Sequence, residues 1–363
     1  MLSPLETQVQ SDSCEPCTVG SLRPRSPTVA PSVMSDPNAP IPFTPLGVRV
    51  PCSTSNLGPG FDLLGLALSL WLEVQVAPLS SRDSRAHTLT VSDDCARDWP
   101  RDKNLVLRAF DAVFAACGRT APGCRFTVSS QIPMARGLGS SGAAVAAGLL
   151  LAKYILDQDS DDTTLISMDA IHEIGVEIEG HPDNVTASLF GGCTLCLPAV
   201  TTPGHQHPMG LVHTPLSSLL GYSVAWTDAT LTTEEARACL PESIPFADAV
   251  ENPRRLAMLL EGLRTGEPRL LTLGADDKLH HNFRLPLIPG GREALQAAKD
   301  AGAWMVAING SGSSLLAIGP IEQAEHLAKT MANTLAGFAP NPVGLALKAV
   351  LGAPKIETDL ARL

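Results

Sequence analysis

Along this chain the spacing of apolar and polar positions changes several times, and each change marks an element. Val48-Arg49-Val50-Pro51-Cys52 alternates as a half-buried strand does. An apolar run over 63–70 follows, and Trp71-Leu72-Glu73-Val74-Gln75-Val76 alternates again. The spacing predicts helices over 103–116, opening under Asp102, and over 142–156, a stretch of small apolar residues. Residues 165–179 are amphipathic, with Ile166, Ile171, Ile174 and Ile178 at helical intervals. Gly191-Gly192 introduces a strand over 193–197, and 201–208 reads as a connector whose histidines are solvated. Beyond it, strands over 222–226 and 304–308 alternate with helices over 233–238, 252–263, 292–301 and 321–335. There is no internal repeat, and mixed strands and helices in two halves predict an α+β protein.

The first stretch lacks any such periodicity. Residues 1–43 are rich in Pro, Ser and Thr, too poor in apolar surface to order themselves, so a disordered extension is expected. It has neither the basic start nor the apolar segment of a signal peptide. Glu6, Asp12, Glu15 and Asp36 are unlike a transit peptide, and Met34 is a candidate translation start. The 363 residues suffice for two cores, and a formal net charge of −11 disfavours nucleic acid and anionic membranes as partners. Nine cysteines show no metal-ligand spacing: Cys14 and Cys17 have no second pair near, and Cys193 and Cys196 read as strand core. Free thiols in a reducing cytoplasm is the simplest account. The apolar run over 143–151 is too short and too rich in Ala and Gly to span a bilayer.

The densest chemistry lies in Ile132-Pro133-Met134-Ala135-Arg136-Gly137-Leu138-Gly139-Ser140-Ser141-Gly142. A strand-like run over 125–129 precedes it and the small-residue helix follows. Glycines at a strand-to-helix junction let the backbone approach an anion, and the exposed N–H groups of the first helical turn then point at it. The Gly137-x-Gly139-x-x-Gly142 spacing also fits a dinucleotide fingerprint by letter. The context fails, because Pro133–Arg136 intervenes after the strand and Asp157 stands in a polar run rather than at a strand end. No Gly-Lys-Ser/Thr follows, so this is not a Walker loop.

Two further constellations accompany the cradle. Glu177-Ile178-Glu179-Gly180-His181-Pro182-Asp183-Asn184 closes the 165–179 helix, and Pro182 is expected to leave His181, Asp183 and Asn184 in a loop. A nucleotide phosphate calls for Mg2+, which takes oxygen ligands and few carboxylates; Glu177 with Ser140 or Ser141 would satisfy it. Glu177 and Glu179 read equally as an exposed helix end. Cys52-Ser53-Thr54-Ser55-Asn56-Leu57-Gly58-Pro59-Gly60-Phe61-Asp62 offers Asn56 and Asp62 to an ammonium or hydroxyl, or as turn formers. Asn309-Gly310-Ser311-Gly312 follows an apolar strand and either approaches a ligand or is a plain turn.

Taken together and in order, Pro-Cys-Ser-Thr-Ser-Asn-Leu-Gly-Pro-Gly-Phe-Asp, Pro-x-x-x-Gly-Leu-Gly-Ser-Ser and Asn-Gly-Ser-Gly resemble the three motifs of the GHMP kinases. Glu-Gly-His-Pro-Asp-Asn-Val, Thr232-Thr233-Glu234-Glu235-Ala236-Arg237 and His280-His281-Asn282-Phe283-Arg284 resemble the homoserine kinase family within it. The likeness runs from about residue 45 nearly to the C-terminus. The third motif departs at Ser313, where the family usually carries proline.

This resemblance implies a two-lobed α+β fold: an ATP-binding domain over 44–205 and a ferredoxin-like domain over 206–363. It implies ATP and Mg2+ as cofactors, with phosphates on Pro133, Arg136, Gly137, Leu138, Gly139, Ser140, Ser141, Gly142, Gly310 and Gly312, and the metal on Ser140, Ser141 and Glu177. L-Homoserine would be the substrate, its carboxylate on Arg237 and Arg284, its ammonium on Asp62, with Asn56 and His181 completing the pocket. Asn184 would orient the hydroxyl and Asp183 would act as a base or a second orienting group. Homodimers are usual for the family. Three alternatives stand: a GHMP kinase for a hydroxy acid such as mevalonate or shikimate, a non-catalytic GHMP-fold binding protein, and a Rossmann oxidoreductase.

Overall fold

The computed structural model describes residues 41–79, 87–91, 103–158, 165–202, 205–207 and 209–363. Residues 1–40 of the expected 1–43 extension, with Met34, Cys14 and Cys17, and Asp102 and the acidic stretch after Gln158 lie outside these residues, whereas Ile41 is buried and Phe43 packs on the core, so the ordered fold starts before residue 44. In chain order the first half contains β1 (Leu46–Asn56), β2 (Gly60–Pro78), β3 (Thr88–Val91), α1 (Leu105–Ala116), β4 (Cys124–Ser130), α2 (Ser140–Gln158), α3 (Met168–Glu179), α4 (Asp183–Phe190) and β5 (Cys193–Leu197). Then come β6 (Val200–Thr202), β7 (His205–His207), β8 (Gly210–Thr214), β9 (Leu220–Trp226), α5 (Thr233–Ala238), α6 (Phe246–Thr265), α7 (Pro268–Gly274) and α8 (His281–Arg284). The chain closes with α9 (Gly291–Asp300), β10 (Met305–Ile308), β11 (Leu315–Pro320), α10 (Ala324–Leu335), β12 (Val343–Leu347) and β13 (Ile356–Glu357).

β1 and β2 form a long antiparallel hairpin, and β2 organises the first sheet. From Leu68 to Val76 every second residue of β2 is buried, the alternation of a strand with one face on the core. Over Leu64–Leu68 both faces are buried, which is why this stretch reads as a continuous apolar run. The sheet runs β13-β1-β2-β4-β3, with β5 on the first half of β2 and β8 on β5. Only the β3–β4 pair is parallel. α1, α2 and α4 supply Phe110, Phe114, Val145, Leu149 and Val185 to the core against it.

The second sheet has the order β10-β11-β9-β12, all antiparallel, with α10 between β11 and β12 and helices α5–α9 between β9 and β10. A β-α-β-β-α-β path with the first and third strands central is the ferredoxin-like arrangement. The α+β class expected from the pattern is the one observed.

Several details differ from the sequence reading. α1 starts at Leu105 under Asn104, whose Oδ1 accepts the N–H groups of Val106 at 3.0 Å and Leu107 at 3.3 Å. The connector over 201–208 contributes β6 and β7, a small antiparallel pair. β3, β8, β11, β12, β13, α7 and α8 had no counterpart in the sequence reading. α2, at 19 residues, is long and apolar enough to cross a bilayer by length and composition, yet 67% of its apolar 18-residue stretch is buried inside the protein. It is the central core helix, wedged among α1, α3, α4 and β1.

Candidate active site

Where β4 gives way to α2, the connecting loop bends through left-handed backbone at Ala135 (φ 53°), Gly137 (φ 72°) and Gly139 (φ 66°). Glycine is required at two of these for space as well as conformation. A Cβ on Gly137 would lie 2.0 Å from the Asn309 carbonyl oxygen, and one on Gly139 2.1 Å from Ser53 Oγ. Gly142 is buried, and a Cβ there would lie 2.9 Å from Asn184 Cβ. The loop is therefore sandwiched between segment 309–314 and the β1–α4 layer. Ser314 N donates to Arg136 O at 3.1 Å, and Ser53 N to Leu138 O at 3.2 Å. Arg136 Nε and Nη2 donate to the carbonyls of Thr227 at 2.9 Å and Asp228 at 3.1 Å, pinning the loop to the end of β9.

The loop faces a cavity of about 400 Å³. It is lined by Pro133, Arg136, Gly137, Leu138, Gly139, Ser140 and Ser141 at one end, and by Asp62, Arg237 and Arg284 at the other. Asn56 bridges the two, bonded to Asp62 N and to the Gly310 carbonyl beside Gly137, and His181, Asp183, Asn184, Lys103, Thr232 and Ser311 complete the lining. The cavity thus brings together most of the residues expected from the sequence. It excludes Gly142, Gly310, Gly312 and Glu177, and Glu179 too lies outside the lining, behind Ser141. The two glycines of the third motif sit behind the cradle: Gly310 N donates to Ser55 O at 3.3 Å and its carbonyl accepts from Asn56 Nδ2 at 2.9 Å. They buttress the phosphate loop rather than face a ligand.

The acidic helix end also needs correction. Glu177 is exposed, on the same face as Asp169 and Glu173. Glu179 shares the face of Ile171 and Gly175, and its Oε2 accepts the Ser141 hydroxyl at 3.0 Å. Burial raises its pKa, with the His181 charge and the Ser141 hydrogen bond opposing. Among the described residues no group of three or more His, Cys, Asp or Glu is arranged for a metal. A single carboxylate beside cradle hydroxyls and phosphate oxygens nevertheless suits Mg2+, which keeps much of its water.

Gly180 ends α3 in the left-handed conformation (φ 79°), and Pro182 then caps α4 instead of ending a helix. Asp183 and Asn184 are accordingly the first residues of α4, not loop residues, so two helix N-termini converge on the cavity. Asp183 is buried, and its Oδ1 accepts from His181 Nδ1 at 2.8 Å, from Asn184 N at 2.7 Å and from Asn184 Nδ2 at 3.3 Å. Asn184 Oδ1 accepts the Ser53 hydroxyl at 3.0 Å, and Nδ2 donates to Ser55 Oγ at 3.1 Å. Burial works against protonation of His181, but the Asp183 hydrogen bond and the charges of Asp183, Glu179 and Asp62 outweigh it and raise its pKa. Ser53 and Ser55 went unassigned in the sequence, although their spacing of two puts both hydroxyls on one face of β1.

At the far end Asp62 and Arg237 form a two-pronged ion pair, Nη1–Oδ2 3.0 Å and Nη2–Oδ1 2.7 Å. Arg284 is different. It is 2% exposed, and no carboxylate lies within ion-pair distance among the described residues. Burial and the nearby Arg237 charge lower its pKa. The Phe61 ring lies 5.5 Å from the guanidinium carbon of Arg237 and 5.1 Å from that of Arg284. Asn56 lines the cavity with both ends of its amide engaged, Oδ1 accepting from Asp62 N at 3.0 Å.

A glycine cradle at the head of a buried helix, set against a ferredoxin-like sheet, defines a kinase of the GHMP class. Residues 104–192 match the GHMP kinases N terminal domain. Homoserine kinase of Prochlorococcus marinus (strain MIT 9303) is 38% identical over 284 residues, 78% of this chain and 86% of that protein. Homoserine kinase of Gloeobacter violaceus is 37% identical over 291 residues, 79% of this chain and 92% of that protein. The crystal structure of homoserine kinase from Cytophaga hutchinsonii superposes with a TM-score of 0.75 at 25% identity, covering 86% of this chain and 98% of that one. A mevalonate kinase structure, at 12% identity and a TM-score of 0.59, shares the fold alone. This chain belongs to the homoserine kinase family.

Proposed function

We propose that the protein transfers the terminal phosphoryl group of ATP to the side-chain hydroxyl of L-homoserine, giving ADP and O-phospho-L-homoserine for threonine biosynthesis. The observation that carries the substrate reading is Arg284, a buried cation facing the cavity without a carboxylate partner. An isolated buried charge is costly, and a substrate carboxylate offers the planar partner that a guanidinium fork matches. Arg237 stands 175 residues from its Asp62 partner in sequence, and the pair offers one charge of each sign. A zwitterion can use both: its ammonium on Asp62, its carboxylate shared between Arg237 and Arg284.

Phosphoryl transfer depends on positioning and on neutralising developing charge. The N–H groups opening α2 receive the phosphates, and the head of α4 adds a second dipole end. Glu179 with Ser141 or Ser140 would hold Mg2+, which would supply positive charge to the phosphate oxygens. Asn184, fixed from both sides by Ser53 and Ser55, orients the homoserine hydroxyl. Asp183 has its Oδ1 occupied by three donors, which leaves Oδ2 to accept the hydroxyl proton or orient it. A cytoplasmic homodimer is part of the same reading; the described cysteines are free thiols, as a reducing compartment keeps them.

A coupled ADP-release assay with Mg-ATP against L-homoserine, L-threonine, L-serine, mevalonate and shikimate tests this. Turnover centred on homoserine is the expected result. Turnover on mevalonate or shikimate in its place would keep the cradle and overturn the substrate pocket.

A further inference from the structure

We infer that the tandem histidines His280 and His281, clamped by Asp277, hold the substrate half of the site together, and that His280 is a positioning residue for Arg284. This rests on the reading of Arg284 as the carboxylate-binding group. Asp277 is buried, and its Oδ2 accepts the backbone N–H groups of His280 at 2.7 Å and His281 at 2.8 Å. Its Oδ1 takes that of Leu279 at 3.1 Å. One carboxylate thus fixes the turn from which two adjacent rings reach in different directions.

His280 Nε2 lies 3.0 Å from the Gly58 carbonyl oxygen, at the tip of the β1–β2 hairpin. A carbonyl only accepts, so Nε2 carries the proton and Nδ1 is a bare lone pair. That lone pair faces Arg284 Nη1 at 3.4 Å. A guanidinium only donates, so the two requirements agree on one tautomer. Arg284 Nε donates to Ala236 O at 2.8 Å, beside Arg237 on α5. Two bonds therefore set the guanidinium plane, and no described residue bonds Nη2. His281 Nε2 accepts the N–H of Ile308 at 3.0 Å, the last residue of β10 before the segment that buttresses the cradle.

The hub joins the hairpin bearing Asn56, Phe61 and Asp62, the helix bearing Arg237, and the strand behind the phosphate loop. The charged groups facing His280 are Arg284, Asp62 and Asp277, whose Oδ2 is 3.8 Å from Nε2, and the neutral His281 ring packs edge-on beside it. Phe61 covers the ring at a centroid distance of 5.3 Å. A proton on Nδ1 would remove the acceptor and set like charge against Arg284. Burial, the largest influence, holds the ring neutral.

Two substitutions separate the two bonds. In His280→Gln the amide still reaches Gly58 but offers no acceptor where Nδ1 stood. In His280→Asn the amide oxygen ends where Nδ1 stood. The Gln variant should raise the homoserine KM about tenfold, the loss of one hydrogen bond to a charged group, while kcat and the ATP KM stay within about twofold. The Asn variant should stay within about threefold of the parent in homoserine KM. Equal KM values in the two variants, or an ATP KM that moves as far as the homoserine KM, would overturn the proposal.

Nitrogen NMR of the histidine-labelled parent protein decides the matter if either variant does not fold. A neutral ring protonated at Nε2 is expected for His280 at pH 7, and a ring protonated at Nδ1 overturns the relay. Absence of parent turnover on L-homoserine overturns the substrate reading by itself, and the tautomer measurement still judges the relay.

Discussion

At one end of the cavity Gly137 and Gly139 hold φ angles of 72° and 66° with neighbouring atoms where a Cβ would be. At the other, Asp62, Arg237 and Arg284 meet through side-chain charge. The anion-facing surface of the cradle is backbone, which every residue carries, so at Gly137 and Gly139 its demand on sequence is the absence of a side chain. The substrate end is made of charged side chains, one short and two long, drawn from the β1–β2 hairpin, α5 and α8. Backbone construction should fail abruptly when a methyl is added. Charge construction should fail by degrees, and by substrate.

The largest effect expected is from Gly137→Ala. The methyl meets the Asn309 carbonyl and a left-handed φ together, which should cost about 3 kcal/mol or more in stability and abolish ATP turnover. Gly118→Ala is the control: its φ is 65° but nothing lies within 4 Å of the new methyl. It should lose about 1 kcal/mol and keep full activity. Denaturant midpoints and ADP release measure both.

Next comes Arg284→Lys, which keeps the charge and loses the fork. We expect kcat/KM for homoserine to fall about 100-fold with the ATP KM unchanged. A parallel fall in ATP affinity would erase the distinction between the two ends.

Glu179→Gln against Glu177→Gln then sharpens the metal assignment. The first should lower turnover about tenfold or more, and the second should leave it unchanged. Because burial raises the Glu179 pKa, its carboxylate is a net cost to stability above its ordinary titration range. The Gln variant should therefore be more stable than the parent at pH 8 without nucleotide.

The smallest effect on turnover concerns two neutral histidines, His172 in the core and His281 beside Asp277. Burial pushes His172 down to about 4 and His281 down to about 3 from 6.5. Between pH 6.5 and 4 the unfolded chain binds protons that the folded chain refuses, so stability falls as pH falls. Each histidine contributes at most about 1.4 kcal/mol per pH unit. His172→Gln should make the decline shallower in urea titrations.

The same difference in construction decides what the sequence made legible. The cradle was readable because its glycines are obligatory. α5 was readable to the residue because Thr232 and Glu235 form a capping box, the Glu235 carboxylate accepting from Thr232 N at 2.9 Å. Asp62 was read locally as an ammonium partner or a turn former, and Arg237 and Arg284 were gathered to it only through the family pattern, since no local period connects the three. Glu177 was chosen over Glu179 although the spacing Ile171, Gly175, Glu179 puts the latter on the buried face. Pro182 was read as a stop, yet proline also suits a helix start, so the first turn of α4 passed for a loop.

The most direct test compares initial ADP-release rates on L-homoserine, on 4-hydroxybutyrate, which lacks the ammonium, and on 3-aminopropan-1-ol, which lacks the carboxylate. A site built on paired charges predicts turnover on homoserine and kcat/KM lower by about 100-fold or more on both analogues. Equal turnover on either analogue, or none on homoserine while ATP still binds, would contradict it.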